Sequence, residues 1–144
     1  MIATVAVGTD GSGTAEKAVL AALEMAERFA ARIVFISAYA PVSEGRLKHE
    51  KRDAPDDVQW AINPEEDVDA TLRECEERAE AKGLRWASEA REGDPAKILV
   101  ELAASNDADV LVIGNKGMQR KVLGSVPNSV SHNAPCSVMI VKTT

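Results

Sequence analysis

The sequence predicts an α/β fold, an open and mostly parallel sheet of five strands with helices on both faces. Three observations carry it. Four short runs are β-branched, uncharged within and bounded by turn residues, as strands buried on both faces must be. They alternate with amphipathic stretches that repeat every three to four residues, which is the βαβ rhythm. The chain of 144 residues suits one domain spanning 1–144, long enough to bury about two-thirds of its unfolded surface.

The elements follow in order. Ile2–Gly8 is the first apolar run. Thr14–Ala31 sets Ala18, Val19, Ala22, Met25, Ala26 and Phe29 on one stripe opposite Lys17, Glu24, Glu27 and Arg28. Ile33–Tyr39 is the second strand. Ala40–Asn63 breaks the rhythm with prolines and charges and reads as a long surface loop of the functional or mobile kind. Pro64–Lys82 repeats Val68, Leu72, Cys75 and Ala79, and Gly83 stands where a helix C-cap belongs. Arg85–Arg91 alternates polar and apolar residues, the pattern of a half-exposed edge strand. Asp94-Pro95 is an N-cap followed by proline at the first helical position and opens Ala96–Ser105. Asp109–Gly114 is a fourth buried strand. Pro127–His132 is a short helix that begins a few residues earlier, at Gly124 or Ser125, and Ser137–Lys142 is the last strand. Parallel neighbours joined through helices imply right-handed crossovers, but the pattern leaves the spatial order of the strands open.

Charge narrows the function. Seventeen basic residues against 23 acidic ones give −6, which argues against nucleic acid or an anionic membrane as partner. The excess is local: Glu44–Glu80 holds 13 acidic and 6 basic residues, and the rest of the chain 10 and 11. Two cysteines are too few for a disulfide scaffold or a cysteine zinc site. Neither a leader peptide nor a membrane span is legible. The expectation is a soluble, cytoplasmic protein.

In such a sheet, ligands bind outside the carboxyl ends of the strands. Two glycine-rich segments lie there, each leading into a helix: Gly8-Thr9-Asp10-Gly11-Ser12-Gly13 and Gly114-Asn115-Lys116-Gly117, continuing to Gly124-Ser125. Glycine permits close backbone approach, and N–H groups at a helix start attract anions. The second segment also carries Lys116, Arg120 and Lys121, the sign a phosphate needs. A turn with solvated cations satisfies the same residues, and Asp10 taken alone reads first as a turn residue pairing with Ser12 and second as an acceptor for ribose or base.

Other chemistries fail on inspection. Neither the P-loop run nor Gly-x-Gly-x-x-Gly follows the first strand, where the glycines fall at 8, 11 and 13. An aspartyl-phosphate enzyme needs an acid two residues before Asp10, where Gly8 stands. A receiver domain needs an acidic cluster after the first strand and an Asp ending the central one, and neither is present. No Ser or Cys–His–Asp set stands out. His49 and His132 read as surface residues, and Cys75 and Cys136 as packed, small apolar ones.

The residues do resemble a known family, the universal stress proteins, along nearly the whole chain. The carriers are Val7-Gly8-Thr9-Asp10-Gly11-Ser12, Gly93-Asp94-Pro95, Ala108–Gly114, Gly114-Asn115-Lys116-Gly117, Leu123-Gly124-Ser125-Val126 and Ala134–Val141. The resemblance implies a Rossmann-like, adenine nucleotide alpha hydrolase-like parallel sheet of five strands and a homodimer through the C-terminal strand, Ser137 to Lys142. In one branch it implies a site for ATP or another adenine nucleotide, with Mg2+ held through the phosphates. That branch carries Gly-x2-Gly-x9-Gly-Ser/Thr, which maps onto Gly114, Gly117, Gly124 and Ser125. Thr9, Asp10 and Ala38 match its adenine-contacting positions. With the intervening polar and basic residues, the candidate binding set is Thr9, Asp10, Ala38, Gly114, Asn115, Lys116, Gly117, Arg120, Gly124, Ser125 and Val126. One departure stands out: six residues separate Gly117 from Gly124 where the family has nine, a deficit of about 10 Å of extended chain.

The first reading is an adenine-nucleotide-binding regulatory protein of a stress response, of the ATP, AMP or cAMP type. The alternative is a stress-linked interaction module with an unknown protein partner and no nucleotide. A slow ATPase has the least support, because no residue near the glycine loop presents itself as general base.

Overall fold

The computed structural model describes residues 1–11, 13–39, 65–115 and 124–142. Its elements run β1 (Thr4–Gly8), α1 (Gly13–Phe29), β2 (Arg32–Tyr39), α2 (Glu65–Ala81), β3 (Trp86–Glu92), α3 (Pro95–Ser105), β4 (Val110–Gly114), α4 (Ser125–Asn133) and β5 (Ser137–Val141). All five strands pair in parallel, in the order β3-β2-β1-β4-β5. The fold class expected from the sequence is the one observed. The long segment after β2 and most of the second glycine loop lie outside the described residues.

Burial explains the pairing order. Every residue of β1 is buried, and the six between the ends of β2 are as well. Such strands belong inside a sheet. Successive residues point to opposite faces. Val5, Val7, Phe35 and Val112 therefore meet α1 and α2 on one face, while Ala6, Val34, Ile36 and Leu111 meet α3 and α4 on the other. Helix α1 approaches the sheet through Ala15, Ala18, Ala22 and Ala26, all buried. The alternating strand β3 is an edge strand, as its pattern requires. Its side chains are clipped to α2 by Trp86 Nε1 donating to Glu80 (2.7 Å) and Ser88 Oγ donating to Glu76.

Helix α1 ends two residues and α2 one residue short of the sequence reading, α3 ends at Ser105 as expected, and one geometry closes all three. Gly83 (φ 70°), Ala30 (φ 53°) and Asp107 (φ 53°) each take the left-handed conformation just past a helix. The following N–H then reaches back five residues: Leu84 to Ala79, Ala31 to Ala26, Ala108 to Ala103. This is the Schellman closure. Ala30 stops α1 at Phe29, short of the expected Ala31. At the start of α3, Asp94 accepts from the Lys97 N–H at 3.1 Å with Pro95 following, as the sequence indicates.

The first strand begins at Thr4, two residues into the apolar run, and a side chain holds the backbone there. The N–H groups of Ala3 and Thr4 donate to Asp109 Oδ2, at 2.8 and 2.9 Å. Two donors to one carboxylate hold its pKa below the usual range. The clip locks β1 beside β4 at the amino end of the sheet.

Candidate functional site

The chain steps outward from β1 to β2 to β3, then crosses back to β4 and β5 on the other side of β1. The direction reverses between β1 and β4, and in open α/β sheets the ligand crevice lies outside the carboxyl ends of the strands at such a switch point. Thr9 and Asp10 leave β1 at that point, and Asn115 leaves β4. In β2, Ala38 lies two residues beyond the Gly8–Ile36 pair and is buried in the face covered by α3.

The walls of the crevice are fixed by backbone and hydroxyl bonds. Thr9 N–H donates to the Ile36 carbonyl at 3.0 Å, and Ser37 Oγ donates to the Thr9 carbonyl at 2.6 Å. The Gly11 N–H donates to Thr9 Oγ1 at 3.3 Å. Thr9 is 1% exposed, so its side chain shapes the turn. Asp10 is half-buried at the crevice and makes polar contact of its own.

Three of the glycines have packing reasons. A Cβ on Gly8 would stand 2.7 Å from Leu99 Cδ2, and one on Gly114 would stand 2.9 Å from the Thr14 carbonyl oxygen. Gly11 has φ 83° and faces Thr71 Oγ1 at 2.6 Å from the same construction. Gly114 therefore lets the end of β4 close against the first turn of α1.

On the far side of the second loop, α4 begins at a buried Gly124 with φ −65° and ψ 170° and no side-chain cap. The first turn of a helix leaves its N–H groups without intrahelical partners. Here Pro127 has no N–H, and the Asn128 N–H is taken by the Gly124 carbonyl at 3.0 Å. Among the described residues, the Ser125 and Val126 N–H groups have no acceptor, and Ser125 is exposed. The helix end is an anion-attracting surface with a hydroxyl beside it. Asn115, fully buried, accepts the Gly124 N–H on Oδ1 at 2.9 Å.

Beside Thr9 and Gly11, between α1 and α2, lies a crevice of about 140 Å3. Thr71 and Cys75 line it, and the Arg78–Glu16 ion pair (2.6 Å) belongs to its wall. It is too small for a nucleotide, since small-molecule sites occupy roughly 300 Å3 or more. Burial pushes the Cys75 thiol up to about 11, and Cys136 is raised for the same reason. Both behave as packed apolar groups. Helix α4 leaves His132 exposed. Among the described residues, no three His, Cys, Asp or Glu side chains converge as a metal site, and no helix is long and apolar enough to cross a membrane.

Of the sequence-derived site residues, Thr9, Asp10, Gly114, Asn115, Gly124, Ser125 and Val126 stand at the ends of β1 and β4 or at the start of α4. Ala38 is within the neighbouring strand. Lys116, Gly117 and Arg120 lie outside the described residues. Sequence reasoning missed Ser37 and Thr71. The first was visible as a lone hydroxyl inside an apolar run; the second had no local signal, because its partner Gly11 is sixty residues away.

Comparison with known proteins accords with this architecture. The family model described as "Universal stress protein family" matches residues 1–142. A universal stress protein of Mycobacterium tuberculosis (strain H37Rv) is 36% identical over 98% of this chain and 97% of its own. One from Methanocaldococcus jannaschii is 30% identical over 96% of this chain and 81% of its own. A crystal structure of a universal stress protein in complex with cAMP superposes with TM-score 0.71 at 33% identity, covering 99% of this chain and 98% of that one. An Arabidopsis thaliana family member with AMP bound has TM-score 0.72 at 17% identity, covering 99% and 92%, a likeness of fold. The parallel sheet, the glycine-punctuated strand ends and these matches agree: the chain belongs to the universal stress protein family.

Proposed function

We propose that the protein binds an adenine nucleotide, of the ATP, AMP or cAMP type, in the crevice between β1 and β4 and acts as a regulatory protein of a stress response. The observation that carries this reading is the start of α4. Two N–H groups that have no acceptor among the described residues, and the Ser125 hydroxyl, stand at the switch point of the sheet, where an anion is the favoured occupant. The cAMP complex of a relative 33% identical supports the ligand class. Ser125 and Val126 would hold phosphate beside Gly124, with Lys116, Gly117 and Arg120 supplying the rest of the basic loop. Thr9, Asp10 and Ala38 would border the base, and a divalent cation such as Mg2+ would come with a polyphosphate. The protein works in the cytoplasm as a homodimer. The support for the dimer is β5, an edge strand whose Met139 is 41% exposed and whose outer edge is unpaired among the described residues.

Calorimetry of the nucleotide-free protein with ATP, ADP, AMP and cAMP tests the reading. Binding is expected for at least one, and no heat from any at about 100 µM ligand overturns it. Ser125→Glu sharpens the test. A carboxylate in the first turn suits the helix dipole and keeps α4 folded, yet repels phosphate. Affinity should fall at least about tenfold.

A further inference from the structure

We propose that Asn115 is a positioning residue of the nucleotide site, and that its work is to hold Gly124 so that the next two N–H groups of α4 face the crevice. The inference rests on the nucleotide reading and deepens it. By its place in the glycine loop, Asn115 reads as a direct ligand contact. Its burial argues otherwise: the side chain is 0% exposed and its Oδ1 is already engaged at 2.9 Å by the Gly124 N–H.

The bond has two consequences. It joins the residue that leaves β4 to the residue that opens α4, pinning together two positions nine residues apart in the chain. Closing a loop costs chain entropy, and a preformed bond at its neck removes that cost from the binding step. It also sorts the donors at the helix start. The Gly124 amide is satisfied from inside the protein, while those of Ser125 and Val126 have no acceptor among the described residues and face a ligand. Gly124 carries no side chain that could cap its own helix. Without Asn115, the Gly124 amide would be a buried donor lacking its acceptor, and the segment would shift to satisfy it. A displaced helix start misaims donors whose strength depends on direction.

Two variants separate positioning from contact. Asn115→Leu keeps the branched side-chain shape and removes the acceptor; Asn115→Asp keeps the acceptor. Amide exchange at Gly124 by NMR is read on both, and cAMP affinity by calorimetry on Asn115→Leu. In Asn115→Leu, Gly124 exchange should quicken and affinity fall, each about tenfold, with strand amides unchanged. Asn115→Asp adds a charge that itself repels phosphate, so it is read by exchange alone and should hold Gly124 within about threefold of the parent. Unchanged exchange and affinity in the Leu variant overturn the proposal. So does loss of affinity in Asn115→Leu with Gly124 still protected, because that marks Asn115 as a ligand contact. If the parent protein binds no adenine nucleotide, the functional reading falls by itself. Gly124 protection still decides the clamp, sustained if the Leu variant loses it and overturned if not. Should Asn115→Leu fail to fold, Gly124→Pro removes the donor at a φ of −65° that proline adopts unstrained. About tenfold weaker binding supports the clamp, and parent-like affinity overturns it.

Discussion

The tightest test of how the crevice is built is Gly114→Ala, read against Gly13→Ala. Both glycines occur in the glycine-rich loops, and loop membership alone makes them equivalent. The structure separates them. An added Cβ at 114 would lie 2.9 Å from the Thr14 carbonyl oxygen and 3.0 Å from Thr14 Cγ2; at 13 it would meet nothing within 4 Å. Ordinary contacts begin near 3.4 Å, so about half an ångström must be found at Gly114. The obstacle is backbone within the first turn of α1, which cannot rotate away. Overpacking of this kind costs about 1–3 kcal/mol. Gly13 is the first residue of α1. Alanine there lowers the entropy of the unfolded chain and should be neutral or stabilising by about 0.4–1 kcal/mol. Urea unfolding monitored by circular dichroism reads both. With an unchanged m-value, Gly114→Ala should lower the midpoint, and the melting temperature should drop roughly 3 °C per kcal/mol. Parent-like stability of Gly114→Ala, or an equal loss in Gly13→Ala, would refute the assignment of Gly114 to close packing.

Two further expectations concern the frame of the sheet. Ala30 pays a left-handed penalty of about 1–2 kcal/mol that glycine avoids. Its greater freedom when unfolded offsets part of the gain, so Ala30→Gly should stabilise by about 0.5–1 kcal/mol; a destabilised variant would contradict the φ of 53°. Asp109 has its carboxyl pKa lowered by the Ala3 and Thr4 N–H groups. A depressed folded pKa gives stability that is present above the ordinary carboxylate value and lost as pH falls through the folded one. Asp109→Asn should flatten the acid side of the stability profile, and an unchanged profile in acid titration would remove the clip from the account.

Much of the fold was legible because its signals are local. The charge-free β-branched runs had to be buried on both faces, and the alternation of Arg85–Arg91 had to be an edge. The Asp94-Pro95 start and the Gly83 stop were readable from chemistry that acts within four residues. The end of α1 was not, since alanine is a poor signal for a left-handed residue. The site was legible as a location. The roles within it were less so, because glycine can mean a turn, a close approach or a ligand cradle.

By itself, the sequence determined the α/β class, the five strands and the two loops that carry glycine at strand ends. Periodicity and capping depend on neighbours in the chain, and no distant partner is needed to read them. Only the tertiary structure decided the strand order, and with it the switch point between β1 and β4. It also decided that Gly114 serves packing against Thr14, that Ser37 fixes the Thr9 turn, and that Asn115 is spent on Gly124. These depend on atoms brought together from separate parts of the chain. A side chain in a glycine loop is a ligand contact only if the fold leaves its polar atom unspent.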